Sequence, residues 1–231
     1  MSTPVSAALI DLDGTLVDSA HELATAVDRM LAEAGHPSAG VSKVRDWVGD
    51  GVDMLVARAL GDATGHDPDA ETLREARARF DTFYAEVLGT ESALYPGVAE
   101  GLERLRAADV RTACITNKSK IFALSLLGAL GIADRFDLLV AGDMAEAKKP
   151  DAAPLQYAAE RLGVALPECV MIGDSAIDVA AARAAGCAAW CVRSGYNRGE
   201  PIDSAGADAV FDRFDELVEA LLARASRPAG A

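Results

Sequence analysis

Basic side chains are the scarce class in this chain: 22 lysines and arginines face 36 aspartates and glutamates over 231 residues, a formal net charge of −14. A surface of that sign repels polyanions, so nucleic acid is not expected as a partner. Long apolar runs are missing as well, which excludes a helical membrane span. Residues 1–6 lack the basic start and apolar centre of a signal peptide, so a cytoplasmic protein, monomer or homodimer, is expected. Cysteine is sparse: Cys114, Cys169, Cys187 and Cys191 show no C-x-x-C or other zinc-like spacing. They read as small buried hydrophobes in a reducing compartment rather than as a redox or metal site.

What is present suits a globular protein, 51% apolar and 25% charged, long enough for one full core with an insertion. Short apolar runs at 5–12, 110–116, 138–141, 169–173 and 188–192 have the length of buried strands, and polar residues or glycine follow each. Helical patterns over 98–107, 120–130, 153–162 and 176–185 separate them. Strand–helix alternation of this kind predicts βαβ units on a parallel sheet. A last strand near 209–211 and a helix over 215–225 close the unit, with 226–231 expected to fray. Residues 19–92 break the rhythm. They hold amphipathic stretches at 20–34, 52–60 and 70–88, turn residues at 35–40 and 61–68, and no strand. The expected division is a catalytic core of 1–18 and 93–231 with an all-helical cap of 19–92.

Chemistry is suggested at four strand ends. Asp11-Leu12-Asp13-Gly14-Thr15 closes the first strand, and residues two apart on a strand face one side, so Asp11 and Asp13 converge. Ligands of open α/β sheets bind beyond these carboxyl ends. A lone D-x-D is more often a solvated turn, Thr116-Asn117-Lys118 alone a helix cap, and Lys148-Lys149-Pro150 alone a basic surface pair. Asp174 in Gly173-Asp174-Ser175-Ala176-Ile177-Asp178 could likewise be a cap. Their joint occurrence, in order and at successive strand ends, is what the ordinary readings leave unexplained.

These motifs, together and in this order, resemble the haloacid dehalogenase-like phosphatase superfamily over essentially the whole chain. The resemblance implies an α/β, Rossmann-like parallel sheet of order 5-4-1-2-3 with a helical cap inserted after the first strand. It further implies phosphomonoester hydrolysis in which Asp11 attacks phosphorus to give an aspartyl-phosphate and Asp13 serves as acid and then base. Thr116, backbone N–H groups near Asn117, and Lys149 would hold the phosphoryl group. Mg2+ would bind the Asp11 carboxylate, the Asp13 carbonyl and Asp174, with Asp178 as a possible indirect ligand.

Within the superfamily the chain is similar to phosphoglycolate phosphatases, through Thr116-Asn117-Lys118, Lys148-Lys149-Pro150, Gly195-Tyr196-Asn197 and a cap loop Trp47-Val48-Gly49-Asp50-Gly51-Val52. It departs from them at Ile10, often phenylalanine, and Ser119, often proline. A small phosphorylated metabolite is the expected partner, 2-phosphoglycolate above other sugar or hydroxyacid phosphates. A phosphohexomutase would carry a cap histidine where Leu23 stands, and a phosphonatase a lysine where Val52 stands. A dehalogenase would not need Asp13, and a catalytically silent binding protein would have lost one of the four charged motif residues. Selection of a small substrate is expected from the cap, through the N–H groups of residues 49–52 and Arg45.

Overall fold

The computed structural model describes residues 4–225; the tail expected to fray and residues 1–3 lie outside the described residues. Eight strands, β1 (Ala7–Ile10), β2 (Val17–Asp18), β3 (Ala93–Leu94), β4 (Arg111–Ile115), β5 (Leu138–Val140), β6 (Cys169–Gly173), β7 (Ala188–Val192) and β8 (Ala209–Phe211), alternate with helices. Six of them form one sheet of order β5-β4-β1-β6-β7-β8, every pairing parallel. Counting only the five strands of the expected order gives 5-4-1-2-3, and β8 extends the sheet by a sixth at the β7 edge.

The strands are apolar on both faces because both faces are covered. Ala8 and Ile10 of β1 join Cys114, Ile172 and Val192 in one cluster, while Ala7 and Leu9 join Ile115, Met171 and Cys191 in the other. On the first face lie α5 (Val98–Ala107), α6 (Lys120–Ala129) and α9 (Phe214–Ala225), on the second α7 (Ala153–Leu162) and α8 (Ala176–Ala185). All four cysteines are free thiols; burial pushes Cys169 up to about 12 and Cys187 to about 11, so both stay protonated and unreactive.

Between β2 and β3 run α1 (Ala20–Glu33), α2 (Val41–Trp47), α3 (Val52–Thr64) and α4 (Ala70–Val87). They have a third apolar cluster of their own, with Val27, Met30, Val56, Phe80 and Tyr84 at its centre and Phe122 of α6 packed into it. Two features depart from the sequence reading. The turn expected at 61–68 starts late: α3 runs through Gly61 and stops at Gly65, whose left-handed backbone closes it. The short α2 occupies residues to which the sequence reading assigned no element. The two chain crossings into and out of the helical segment also pair with each other, Val17 with Leu94 and Asp18 with Ala93.

Glu22 fastens this junction. Buried on α1, its carboxylate accepts the backbone N–H groups of Gly89, Glu91 and Ser92, the residues that lead back into β3. A charged acceptor shared among three otherwise orphaned donors holds the return of the chain against the first helix.

Candidate active site

The site lies beyond the carboxyl ends of β1, β4 and β6. After Asp11 the chain turns tightly: Gly14, at φ +88°, donates its N–H to the Val17 carbonyl. One oxygen of Asp11, Oδ1, accepts both the Leu12 N–H at 2.7 Å and Lys149 Nζ at 2.8 Å. Asp13 is held at both oxygens, by the Ser19 hydroxyl on Oδ1 and by Lys118 Nζ on Oδ2 at 3.1 Å.

Lys149 is buried and bridges two carboxylates, Asp11 and Asp178, the latter at 2.7 Å. Burial alone would depress its ammonium, but these two negative charges outweigh the loss of water and raise it. Its backbone is clasped by Asn117, whose Oδ1 accepts the Lys149 N–H and whose Nδ2 donates to the Lys149 carbonyl and to the carbonyl of Gly49. The Asn117 side chain is thus engaged with the lysine and the cap loop. Thr116, at the end of β4, accepts the Lys118 N–H on its hydroxyl.

Asp174 is enclosed. Oδ1 accepts the Thr15 hydroxyl and Oδ2 the Tyr196 N–H, each at 2.7 Å. A Cβ on Gly195 would stand 2.1 Å from that carboxylate, so only glycine fits there. Asp174 does not cap α8: Ser175 does, in a capping box with Asp178. Asp178 Oδ2 accepts the N–H and hydroxyl of Ser175 while Oδ1 takes Lys149, so its oxygens are engaged by the protein.

Asp11, Asp174 and Asp178 each offer an oxygen within 4.8 Å of the others. Burial, opposed by Lys149 and reinforced by Asp178, pushes the Asp11 carboxyl up to about 7. Burial, then the neighbouring charges of Asp178 and Asp11, raise Asp174 well above the usual carboxylate range. Carboxylates crowded in this way, with oxygen as the donor atom, suit a hard divalent cation. Each Asp174 oxygen accepts one neutral donor, whereas Asp178 accepts several and the Lys149 ammonium, so Asp11 and Asp174 keep more lone-pair capacity to offer.

Asp11, Asp13, Thr116 and Asn117 open on one cavity, walled on its far side by Leu23, Leu55, Phe80 and Phe122. Lys118, Ser119 and Tyr84 also line it; the sequence reading quoted Lys118 within a motif but gave it no role. Arg45, expected near the substrate, points elsewhere. It pairs with Asp18 at 2.9 Å and stacks over Tyr196, away from the residues that line the cavity. Tyr196 itself escaped the sequence reading as a structural residue. Its N–H holds Asp174 and its hydroxyl meets Asp18 and the N–H groups of Ser19 and Ala20, at the entrance to α1.

Comparison with known proteins places this geometry. A family profile of haloacid dehalogenase-like hydrolases matches residues 5–186. A phosphoglycolate phosphatase of Nitrosospira multiformis is 43% identical over 94% of this chain and 95% of its own. One from Colwellia psychrerythraea is 45% identical over 92% and 95%. A crystal structure from Haemophilus somnus 129PT, described as a predicted phosphoglycolate phosphatase, superposes with a TM-score of 0.90 at 32% identity, covering 94% of this chain and 98% of that one. CbbY of Rhodobacter sphaeroides, solved in complex with phosphate, gives 0.78 at 27% identity over 92% and 96%.

Proposed function

Because the chain belongs to the haloacid dehalogenase-like hydrolases, we propose that it hydrolyses 2-phosphoglycolate to glycolate and phosphate through a phosphoryl group carried on Asp11. The observation that carries this reading is the placing of Asp11: a carboxylate at a strand end, steered through one oxygen by Leu12 and Lys149 and open to the same cavity as Asp13 and Thr116. The relatives named for phosphoglycolate support the substrate.

Asp11 attacks phosphorus, and the ester oxygen leaves with a proton from Asp13; Asp13 then takes the proton of the water that cleaves the acyl phosphate. The Thr116 hydroxyl and the N–H groups beside it hold phosphoryl oxygens. Lys149 offsets the charge that gathers on Asp11 and the transferring group. Asp11, Asp174 and the Asp13 carbonyl would hold Mg2+, which when bound neutralises phosphoryl oxygens and orients them. Residues 19–92 act as a cap on the core of 1–18 and 93–231, turning about the paired crossings at 17–18 and 93–94 to shut water out. An acidic chain with four free thiols suits the cytoplasm.

Purified protein assayed on a panel of phosphate esters with Mg2+ and with chelator tests this. The highest kcat/KM is expected on 2-phosphoglycolate, with activity lost in chelator and phosphate retained on the protein after an acid quench. Full activity in chelator, or a better substrate without a carboxylate, would sink it.

A further inference from the structure

Beside Asp13 the cavity holds a polar cluster whose hydrogen-bonding capacity is not filled. Lys118 is the one cation among the described residues that line it, its side chain 7% exposed, resting on the Tyr84 ring at 4.8 Å. An ammonium has three donors; Asp13 takes one and the Tyr84 hydroxyl oxygen adjoins it, which leaves a donor on the lysine and the hydrogen of the tyrosine hydroxyl to place. Beside it stand two buried hydroxyls without hydrogen-bond partners of ordinary geometry, those of Tyr84 and Ser119. Buried polar groups are rarely left so, and two in one cavity beside a lysine call for an acceptor from outside. Arg45 cannot supply the charge, being engaged with Asp18.

Resting on the substrate reading above, we propose that Lys118, Tyr84 and Ser119 form the subsite for the substrate's carboxylate. The chemistry fits the spacing. In an ester of the form phosphate–O–CH2–COO−, the carboxylate carbon lies two bonds, roughly 2.5 Å, from the ester oxygen. Asp13, which serves that ester oxygen, has Lys118 in contact at 3.1 Å. A carboxylate there accepts from the ammonium and from both hydroxyls, while an ester lacking it leaves the two hydroxyls without an acceptor. Tyr84 belongs to α4 and Lys118 to the loop after β4, so the subsite is complete only when both segments face each other. The preference is thus for small monoesters with an anionic group one carbon from the ester oxygen.

The test compares kcat/KM on 2-phosphoglycolate with that on 2-hydroxyethyl phosphate, similar in size but without the carboxylate. Lys118→Met should lower the ratio by about tenfold to a hundredfold, and Tyr84→Phe by about threefold to tenfold, as lost hydrogen bonds to a charged group do. Lys118→Arg should keep part of the preference. Lys43→Met is the control: its Nζ pairs with Asp62 at the exposed surface and is absent from the cavity wall, and the ratio should stay. Because Tyr84→Phe removes a single oxygen, it reads the subsite even where Lys118→Met folds poorly. An unchanged ratio in both Lys118→Met and Tyr84→Phe, with wild-type protein still preferring phosphoglycolate, overturns this assignment alone. Wild-type protein that cleaves hydroxyethyl phosphate but not phosphoglycolate overturns the substrate reading and the assignment with it.

Discussion

At the scale of single residues, the charges of the site oppose one another until a cation arrives. Asp11→Asn should cut turnover by roughly three orders of magnitude or more while leaving the protein folded, because Lys149 keeps Asp178 as partner. The same substitution has a signature in stability. Folded protein free of metal holds the Asp11 proton to about pH 7, whereas an unfolded chain releases it near 3.8. Between those values the unfolded state binds fewer protons, so stability falls as pH rises. Melting in chelator should therefore show wild type losing ground to Asp11→Asn from about pH 4 to 8, and parallel curves would contradict the buried carboxylate. Asp174→Asn should raise the melting temperature in chelator and abolish the further rise that Mg2+ gives wild type. Most of these residues were legible because each ends a strand in a motif. The capping box of Ser175 and Asp178 was not read from the sequence, since a capping aspartate and a ligand aspartate look alike until hydrogen bonds are assigned. Arg45 was expected at the cavity, where Lys118 stands instead, for a similar reason: charge is visible in sequence, direction is not.

At the scale of elements, the long buried strands and amphipathic helices were readable and the short ones were not. Cys169–Gly173 and Ala188–Val192 fall where apolar runs predict them. Val17–Asp18 and Ala93–Leu94 have two residues each, too few for any alternation, and they pair only because the chain returns to its starting point. The α2 helix buries a single residue, Val44, so it leaves almost no apolar stripe to detect. Glu22 ties such elements together. Glu22→Ala strips three N–H groups of their acceptor, and a loss of about 2–4 kcal/mol is expected in denaturant melts. Glu22→Gln should recover part of it through its remaining carbonyl oxygen. A loss under about 0.5 kcal/mol would mean that water replaces the carboxylate without penalty.

At the scale of the molecule, a formal charge of −14 confronts an anionic substrate. The local positive groups Lys118 and Lys149 are nearly all paired and buried, so little field reaches outward to draw the ester in. Raising salt from about 10 to 150 mM shortens the screening length from about 30 to 8 Å and weakens that repulsion. The kcat/KM should accordingly rise over this range with the change in KM, opposite to the behaviour of a steered enzyme. A steady fall would show that the mouth of the cavity attracts anions in spite of the whole. The helical segment is also latched to the core from the side: Asp50, in the cap loop, pairs with Arg58 of α3 and with Arg198 beyond β7. Asp50→Ala should loosen that contact and raise KM more than it lowers kcat.

The closeness of Gly195 to Asp174 has a consequence for how this protein tolerates change. Mutational scans usually grade a position by what its side chain contributes, and a residue without one is expected to be permissive. Here the contribution is empty space: the volume a methyl group would need is filled by the Asp174 carboxylate. In a saturation library selected for phosphatase activity, position 195 should therefore be as intolerant as position 11, with alanine failing alongside tryptophan. Position 163, where a Cβ would meet nothing within 4 Å, should fail only by degrees through its backbone angle of +70°. Two glycines would then mark the two ways a protein depends on lacking a side chain, one graded and one absolute.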